Sequence, residues 1–294
     1  MTNGSPAMAG RTCLVTGATS GIGKATATGL ARLGAEVVLV ARDPAKGRAT
    51  AAEIQAATGN PHIEVLTADL SSQASIRRAA DEYQRRHDRL HVLVNNAGGY
   101  WATRHVTVDG LELTFAVNHL AYFLLTNLLL DLLRASAPAR IVNVTSGAQA
   151  VGDIHFEGLQ FERRYRGQAA YNQSKLANVL FTYELACHLE GSGVTVNCVA
   201  PGVVWTNFGL ADPARGQSLL TPLVRPFMRT PEQGAATSVW LASSPEAEGV
   251  TGGYYVRRRG RPSARRSSGR SYDTELAGRL WRVSEELTGL RQPA

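Results

Sequence analysis

The sequence predicts an α/β protein whose single domain is a doubly wound parallel sheet, and three observations predict it. Short apolar runs alternate along the chain with segments whose apolar residues recur at three- and four-residue spacing. A glycine-rich turn follows the first run directly, and no linker divides the chain before about residue 257. Strands separated by helices at this rhythm form βαβ units, whose right-handed crossovers place helices on both faces of the sheet.

The strands are read from TCLVT (12–16), VVLVA (37–41), IEVL (63–66), VLVN (92–95), IVNV (141–144) and VTVNCV (194–199), six or seven in all. Helical spacing is clear at 72–86 and 174–190, and again from Thr274 to Leu287. Phe115 to Leu133 reads as one long helix, apolar around more of its circumference than a surface helix needs. A subunit contact and burial in the core each explain that pattern, and a homo-oligomer is expected. RRRGRPSARRSSGR (257–270) is the one low-complexity segment. Residues 1–256 therefore carry the domain, and 257–294, a basic segment and a helix, complete it.

Charge and composition exclude several classes. In 294 residues with 44% hydrophobic and 19% charged content, neither disorder nor a disulfide scaffold is expected. The net charge of +7 matches the seven arginines between 257 and 270, so the rest is formally neutral. That cluster has no interleaved aromatic residue and no zinc-finger or helix-turn-helix pattern, so it reads as a solvated segment and no nucleic-acid partner is expected. Cys13, Cys187 and Cys198 are odd in number and widely spaced, as buried thiols in the cytoplasm would be. MTNGSPAMAGR lacks the apolar stretch of a signal peptide or anchor, and Leu120 to Leu133 is too short to span, so no membrane span is expected. His87 and His91 stand four apart without a third ligand and read as surface residues, with no metal site.

Three motifs carry chemistry. TGATSGIG (16–23) lies between the first strand and a helix, the context in which Gly17, Gly21 and Gly23 let the backbone approach a pyrophosphate seated on the helix N-terminus. The fold is then of Rossmann type. At the end of the second strand, where an acidic residue would select NAD, Arg42 supplies a cation suited to a 2′-phosphate, which favours NADP(H) over NAD(H). Asp43 follows and could still reach a ribose hydroxyl. Tyr171 and Lys175 stand one helical turn apart, so the ammonium favours the phenolate and lets the tyrosine exchange a proton with a substrate oxygen. Such a pair alone is more often a surface feature. Lysine is confined to Lys24, Lys46 and Lys175 in a chain that otherwise uses arginine, which makes this one less casual.

With these motifs in view, the chain resembles the short-chain dehydrogenase/reductase family, and within it the retinol dehydrogenase branch. The matching pieces are TGATSGIG, ADL (68–70), NNAG (95–98), the asparagine of FAVNHLAYFLL, IVNVTS ending at Ser146, YNQSK, and PGVVWT (201–206), in the family's order. The resemblance implies an NADPH-dependent oxidoreductase in which Tyr171 is the acid/base and Lys175 assists it while holding the nicotinamide ribose. Ser146 would hydrogen-bond the carbonyl oxygen, and Asn118 would hold a water that links Lys175 to solvent. It further implies cofactor contacts from Gly17, Thr19, Ser20, Gly21, Ile22 and Gly23, from Arg42, and from Asp69 and Leu70 beside the adenine. Asn95, Ala97 and Gly98 would back the ribose and adenine, and Pro201, Gly202, Val204 and Thr206 would cover the nicotinamide and phosphates.

Two departures bear on substrate. The 24 residues between Ser146 and Tyr171 exceed those of the shortest family members and are expected to fold over the substrate mouth. Members of the branch often carry an apolar N-terminal anchor; MTNGSPAMAGR does not read as one, and a soluble enzyme is expected. Tyr100 and Trp101 after NNAG, with Trp205 and Phe208 in or after PGVVWT, lie in loops at the carboxyl ends of strands and could line an apolar pocket. A hydrophobic aldehyde or ketone is the expected substrate. A tailoring ketoreductase of a biosynthetic pathway would use the same residues, and a non-catalytic NADP(H)-sensing protein is the competing reading from another class.

Overall fold

Eight strands form one sheet in the order β3-β2-β1-β4-β5-β6-β7-β8 in the computed structural model, which describes residues 7–204 and 228–290. They are β1 (Thr12–Thr16), β2 (Glu36–Ala41), β3 (Ile63–Thr67), β4 (Val92–Asn95), β5 (Ala139–Val144), β6 (Val194–Ala200), β7 (Gly253–Arg258) and β8 (Arg261–Arg265). The first seven pair in parallel, and β8 is antiparallel to β7. Strands β1 and β4 are buried along their whole length because helices cover both faces.

One face carries α1 (Gly21–Arg32), α2 (Pro44–Thr58) and, later in the chain, Pro231–Ser243, which meet Cys13, Val15, Leu39, Val94 and Val142. The other carries α3 (Gln73–Arg86) and the helical segments between β4 and β6, over Leu14, Leu93, Ile141 and Val196. The expected helix over 115–133 is there in a modified form. It comprises α4 (Leu113–Phe115), a π turn at Ala116–Leu120, α5 (Ala121–Leu128), and α6 (Leu130–Ala135) after a break at Leu129. Then come α7 (Gly167–His188), α8 (the Pro231–Ser243 helix) and α9 (Thr274–Thr288). Helix α7 begins seven residues earlier than its apolar spacing suggested, so Tyr171 lies inside it.

Tyr122, Phe123, Leu124 and Leu125 of α5 are fully buried within the chain. Helix α3 packs on one side, and α9 lays Trp281 against Phe123 with ring centroids 4.9 Å apart. The apolar circumference that suggested a subunit contact is thus accounted for by this chain's own core. No helix among the described residues is long and apolar enough to cross a membrane.

Two readings need correction. The arginine-rich stretch is a β-hairpin in the sheet, and the proposed boundary at 256/257 falls inside β7. Tyr254 and Tyr255 pack into opposite layers and hold β7 in place, while the alternation of arginine with small residues in RPSAR disguised the edge strand. His91 is buried and accepts the Thr12 amide at 3.0 Å, so desolvation and the nearby arginines lower its pKa; only its neutral form can accept that bond. Cys13 and Cys198 are buried as expected, whereas Cys187 is exposed. The described residues contain no cluster able to hold a metal ion.

The hairpin turns at Arg259 and Gly260, both with positive φ (48° and 81°). Glycine adopts this region freely; arginine does not, and asparagine is the usual first residue of such a turn. Arg259→Asn is expected to stabilise the fold by about 0.5–1 kcal/mol, read as a rise in Tm of roughly 1–4 °C in a thermal melt.

Candidate active site

The carboxyl end of β1 turns sharply because Gly17 (φ +63°) and Gly23 face neighbours too close for a side chain. A Cβ at Gly23 would lie 2.2 Å from the Gly17 carbonyl oxygen and 2.4 Å from Asn96 Nδ2, and one at Gly17 would lie 2.8 Å from Ala97 Cα. Thr16 stitches this turn to the loop after β4: its Oγ1 accepts from Asn96 N (2.8 Å) and Ala97 N (3.0 Å), and its carbonyl accepts from Asn96 Nδ2 (2.8 Å). Gly21 (φ +53°) opens α1. Ser20 is its exposed N-cap without a side-chain capping bond, and no acid occupies the first turn. Thr19 and Ile22 are half-buried beside it. A bare positive helix end beside a close-packed glycine turn suits a pyrophosphate.

At the end of β2, Asp43 Oδ1 accepts from Ala45 N (2.8 Å) and Lys46 N (3.2 Å), so its carboxylate caps α2. Arg42 stands exposed at the strand end. Asp69 is half-buried, with Oδ1 accepting from the Ser71 amide (2.9 Å) and hydroxyl (2.7 Å), and Leu70 packs on the core beneath. Asn95 is fully buried, its Nδ2 shared between Thr126 Oγ1 and Asn143 Oδ1, both at 2.9 Å. It holds β4 to its neighbours, while Asn96, the second residue of NNAG, touches the glycine turn.

After β6, Gly202 (φ +84°) leaves room for Arg229, whose guanidinium donates to the carbonyls of Pro201 (2.7 Å) and Arg257 (2.8 Å). Val204 and Ile22 converge on Gly234, where a Cβ would meet them at 2.8 and 3.2 Å. Thr206, Trp205 and Phe208 lie outside the described residues.

The four expected chemical groups stand at this same end of the sheet. Lys175 is buried on α7, its Nζ donating to Val144 O (3.3 Å) and lying 5.6 Å from the Tyr171 ring centroid. Thr145 ties α7 to β5 by donating to Lys175 O (2.7 Å). Ser146, half-buried at the end of β5, caps the turn Gly147–Val151 through the Ala148 amide (3.2 Å). Asn118 occupies the π turn. Its Oδ1 accepts from Gly99 N (2.7 Å), and its Nδ2 donates to Gly99 O (2.9 Å) and Ser174 Oγ (3.0 Å). Gly98 separates it from the lysine: a Cβ there would sit 3.0 Å from Asn118 Oδ1 and 3.5 Å from Lys175 Nζ. The buried ammonium of Lys175, close to the Asn118 amide and next to Tyr171, is a donor of the kind that sugar hydroxyls of a nicotinamide nucleotide would accept from.

Of the aromatic candidates, Tyr100 meets the Tyr171 ring edge-on at 6.1 Å. Trp101 folds back over Gly99, where a Cβ would lie 2.3 Å from its ring. The segment between Ser146 and Tyr171 is pinned to the loop after β4: Gln160 O accepts from Arg104 (2.9 Å), Gln160 Oε1 from Glu112 N (2.6 Å), and the Tyr165 hydroxyl donates to Trp101 O (3.0 Å).

Burial pushes the Lys175 ammonium from 10.5 down to about 8, by desolvation. The unfolded chain therefore binds this proton more tightly: stability rises with pH between about 8 and 10.5, and below 8 the penalty is fully present. Lys175→Met is expected to stabilise the fold at pH 7, by at most the roughly 3 kcal/mol that such a shift represents, seen as a higher Tm, while abolishing turnover. A melt and an assay on the same preparation check it.

The short chain dehydrogenase family model matches residues 11–213. Human "Retinol dehydrogenase 14" is 44% identical over 298 residues, covering 96% of this chain and 88% of the relative. Mouse "Retinol dehydrogenase 12" is also 44% identical, with 96% and 87% covered. Among solved structures, an uncharacterised protein from Mycobacterium paratuberculosis aligns with TM-score 0.79 at 35% identity, covering 97% of this chain and 96% of that one. The Pseudomonas aeruginosa RhlG/NADP active-site complex aligns with TM-score 0.69 at 32% identity, covering 86% and 97%.

Proposed function

Because the chain belongs to the short-chain dehydrogenase family and is an oxidoreductase of alcohol and carbonyl groups, we propose that it uses NADP(H) and acts on a hydrophobic aldehyde or ketone and the corresponding alcohol. The observation that carries this reading is the buried Lys175 ammonium 5.6 Å from the Tyr171 ring centroid, with Asn118 against the neighbouring Gly98–Gly99 backbone and Ser146 at the end of β5. Arg42 supports the 2′-phosphorylated cofactor, since the neighbouring carboxylate of Asp43 is committed to the α2 cap. The RhlG structure, which carries NADP, supports the same choice.

When bound, the nicotinamide supplies or accepts the hydride; the protein supplies position and protons. Tyr171 donates a proton to the carbonyl oxygen as the alkoxide develops, and Ser146 donates a hydrogen bond to that oxygen. Lys175 holds the ribose hydroxyls and, as an ammonium beside the ring, favours the tyrosinate left after transfer. Asn118 anchors the water through which that proton is replaced. Arg42 holds the 2′-phosphate; Asp69 and Leu70 receive the adenine; and the turn from Gly17 to Gly23 holds the pyrophosphate. Tyr100 provides an apolar wall beside Tyr171, which favours bulky carbonyls over small polar ones. The free cysteines fit an enzyme of the cytoplasm.

The test is loss of NADPH absorbance with carbonyls from short polar aldehydes to retinal and polycyclic ketones, the polyene included because of the relatives' names. Turnover with NADPH that falls at least about 100-fold in Tyr171→Phe, within the range of lost acid catalysis, is the expected result. Arg42→Ala is expected to raise KM for NADPH about tenfold or more, as loss of one charge-assisted phosphate contact does, with little change for NADH. Tight NADPH binding without turnover of any carbonyl would favour the sensing protein, and turnover of one polycyclic scaffold alone would favour the tailoring ketoreductase. Equal turnover of small polar and large apolar carbonyls would remove the hydrophobic substrate class.

A further inference from the structure

The buried face of α7 carries more polar groups than the proposed chemistry uses. Tyr171, Ser174, Lys175, Asn178 and Thr182 follow the spacing of one helix face, and Ser174, Asn178 and Thr182 are fully buried. A buried polar side chain destabilises a fold unless its bonds are made, so each partner has a specific role. Ser174 and Asn178 both reach the π turn. A π turn bonds i to i+5, which displaces backbone carbonyls from the ordinary helical ladder. Asn178 Nδ2 donates to the carbonyl of Asn118 at 2.8 Å, and Ser174 Oγ accepts from the Asn118 side chain at 3.0 Å.

Asn178 is held in turn. With its NH2 group on the Asn118 carbonyl, its Oδ1 faces His119 Nδ1 at 3.3 Å, which makes Nδ1 the protonated nitrogen; His119 Nε2 lies 3.0 Å from Ser284 Oγ, whose hydroxyl is shared with the Leu280 carbonyl at 2.8 Å. Burial holds this imidazole neutral by lowering its pKa to about 4. Ser284 belongs to α9, whose Trp281 closes the same face against Phe123 and Phe181. From the other side, Thr182 Oγ1 donates to Asn178 O at 2.7 Å and accepts from Asn143 Nδ2 at 3.0 Å.

We propose that Asn178 is a positioning residue for catalysis: it fixes the π turn so that the Asn118 side chain stays clamped on Gly99, one glycine away from Lys175, and it is tied to the last helix through His119 and Ser284. The proposal rests on the reductase reading above. Ordinary core asparagines stabilise a fold; this one sets the place of a group that adjoins the Tyr171–Lys175 couple, so its loss changes proton delivery as well as stability.

The experiment compares wild type with Asn178→Asp, which keeps the shape and the acceptor for His119 but removes the donor to Asn118. Asn178→Leu, Ser284→Ala and the remote buried control Ser136→Ala are measured beside it. Ser136 accepts from Leu90 N at 2.9 Å and touches no catalytic group. Expected for both Asn178 variants are a fall in kcat of tenfold or more, NADPH affinity by fluorescence within about threefold of wild type, and a shift to higher pH of the rising limb of alcohol oxidation. Ser284→Ala is expected to show the same shift in smaller size, and Ser136→Ala a lower Tm with unchanged kcat and pH profile. Folded Asn178 variants with wild-type kcat and pH profile, or variants that resemble Ser136→Ala, overturn the proposal. If neither Asn178 variant yields folded protein, Ser284→Ala decides: an unmoved kcat and pH profile overturn it. An inactive wild type that binds NADPH would sink the reductase reading instead, an outcome distinct from these.

Discussion

The site depends on one buried cation. Lys175 lies at the junction of β5, the π turn and the glycine-rich loop after β4, and its Nζ has the Val144 carbonyl as its partner. An ammonium withdrawn from water this far is tolerated only where dipoles face it and where something occupies the space beside it. That requirement shapes the neighbourhood. Gly98 cannot carry a side chain without crowding the Asn118 amide that stands beside Nζ, and Thr145 keeps α7 against the end of β5 so that the lysine reaches the strand end. Tyr171, one turn earlier, is thereby held beside the charge.

Behind this cation the interior is polar where an α/β core would ordinarily be apolar. A chain of bonds runs from Thr126 and Asn95 through Asn143, Thr182 and Asn178 to Asn118, joining β4, β5, α7 and the π turn. Apolar packing alone tolerates small sliding of a helix over a sheet, whereas hydrogen bonds of fixed length in a low-dielectric interior do not. The chain therefore fixes the register of α7, and with it Tyr171 and Lys175, on the sheet. Asn95 illustrates the division of labour: it sits in the family motif beside the cofactor loop, yet its amide faces inward, and Asn96 does the stitching to Thr16.

Much of this was legible because it is local. The first six strands in the chain are apolar runs bounded by turns, the glycine turn is a fixed sequence between strand and helix, and Tyr171 and Lys175 are one turn apart on one helix. What sequence could not show depends on contacts between distant segments. The π turn arises where residues 118 and 119 meet Asn178 and Ser284, 60 and 165 positions away from their partners, so apolar spacing alone returned one regular helix. His91 looked like a surface residue because its partner, the Thr12 amide, is 79 positions distant. Asn178 did carry a signal, its spacing of seven from Tyr171, that becomes meaningful only once the face it shares is known to be buried.

The arginine stretch shows the same principle with charge. As a linear pattern it resembles a solvated tail, and in the sheet it is the strand that ends it. An edge strand exposes unpaired backbone groups to any other strand, and proteins blunt that hazard with charge and proline. Here Pro262 removes a donor from β8, and Arg261 and Arg265 line it, with Arg261 directly opposite Arg258. Like charges facing one another weaken a pair of strands by a few tenths of a kcal/mol or so, a small loss beside the repulsion that the same charges present to an approaching edge. Concentrating the whole net charge at this border protects the sheet without placing cations along α5 or α7, where they would disturb the buried ammonium on which the site is built.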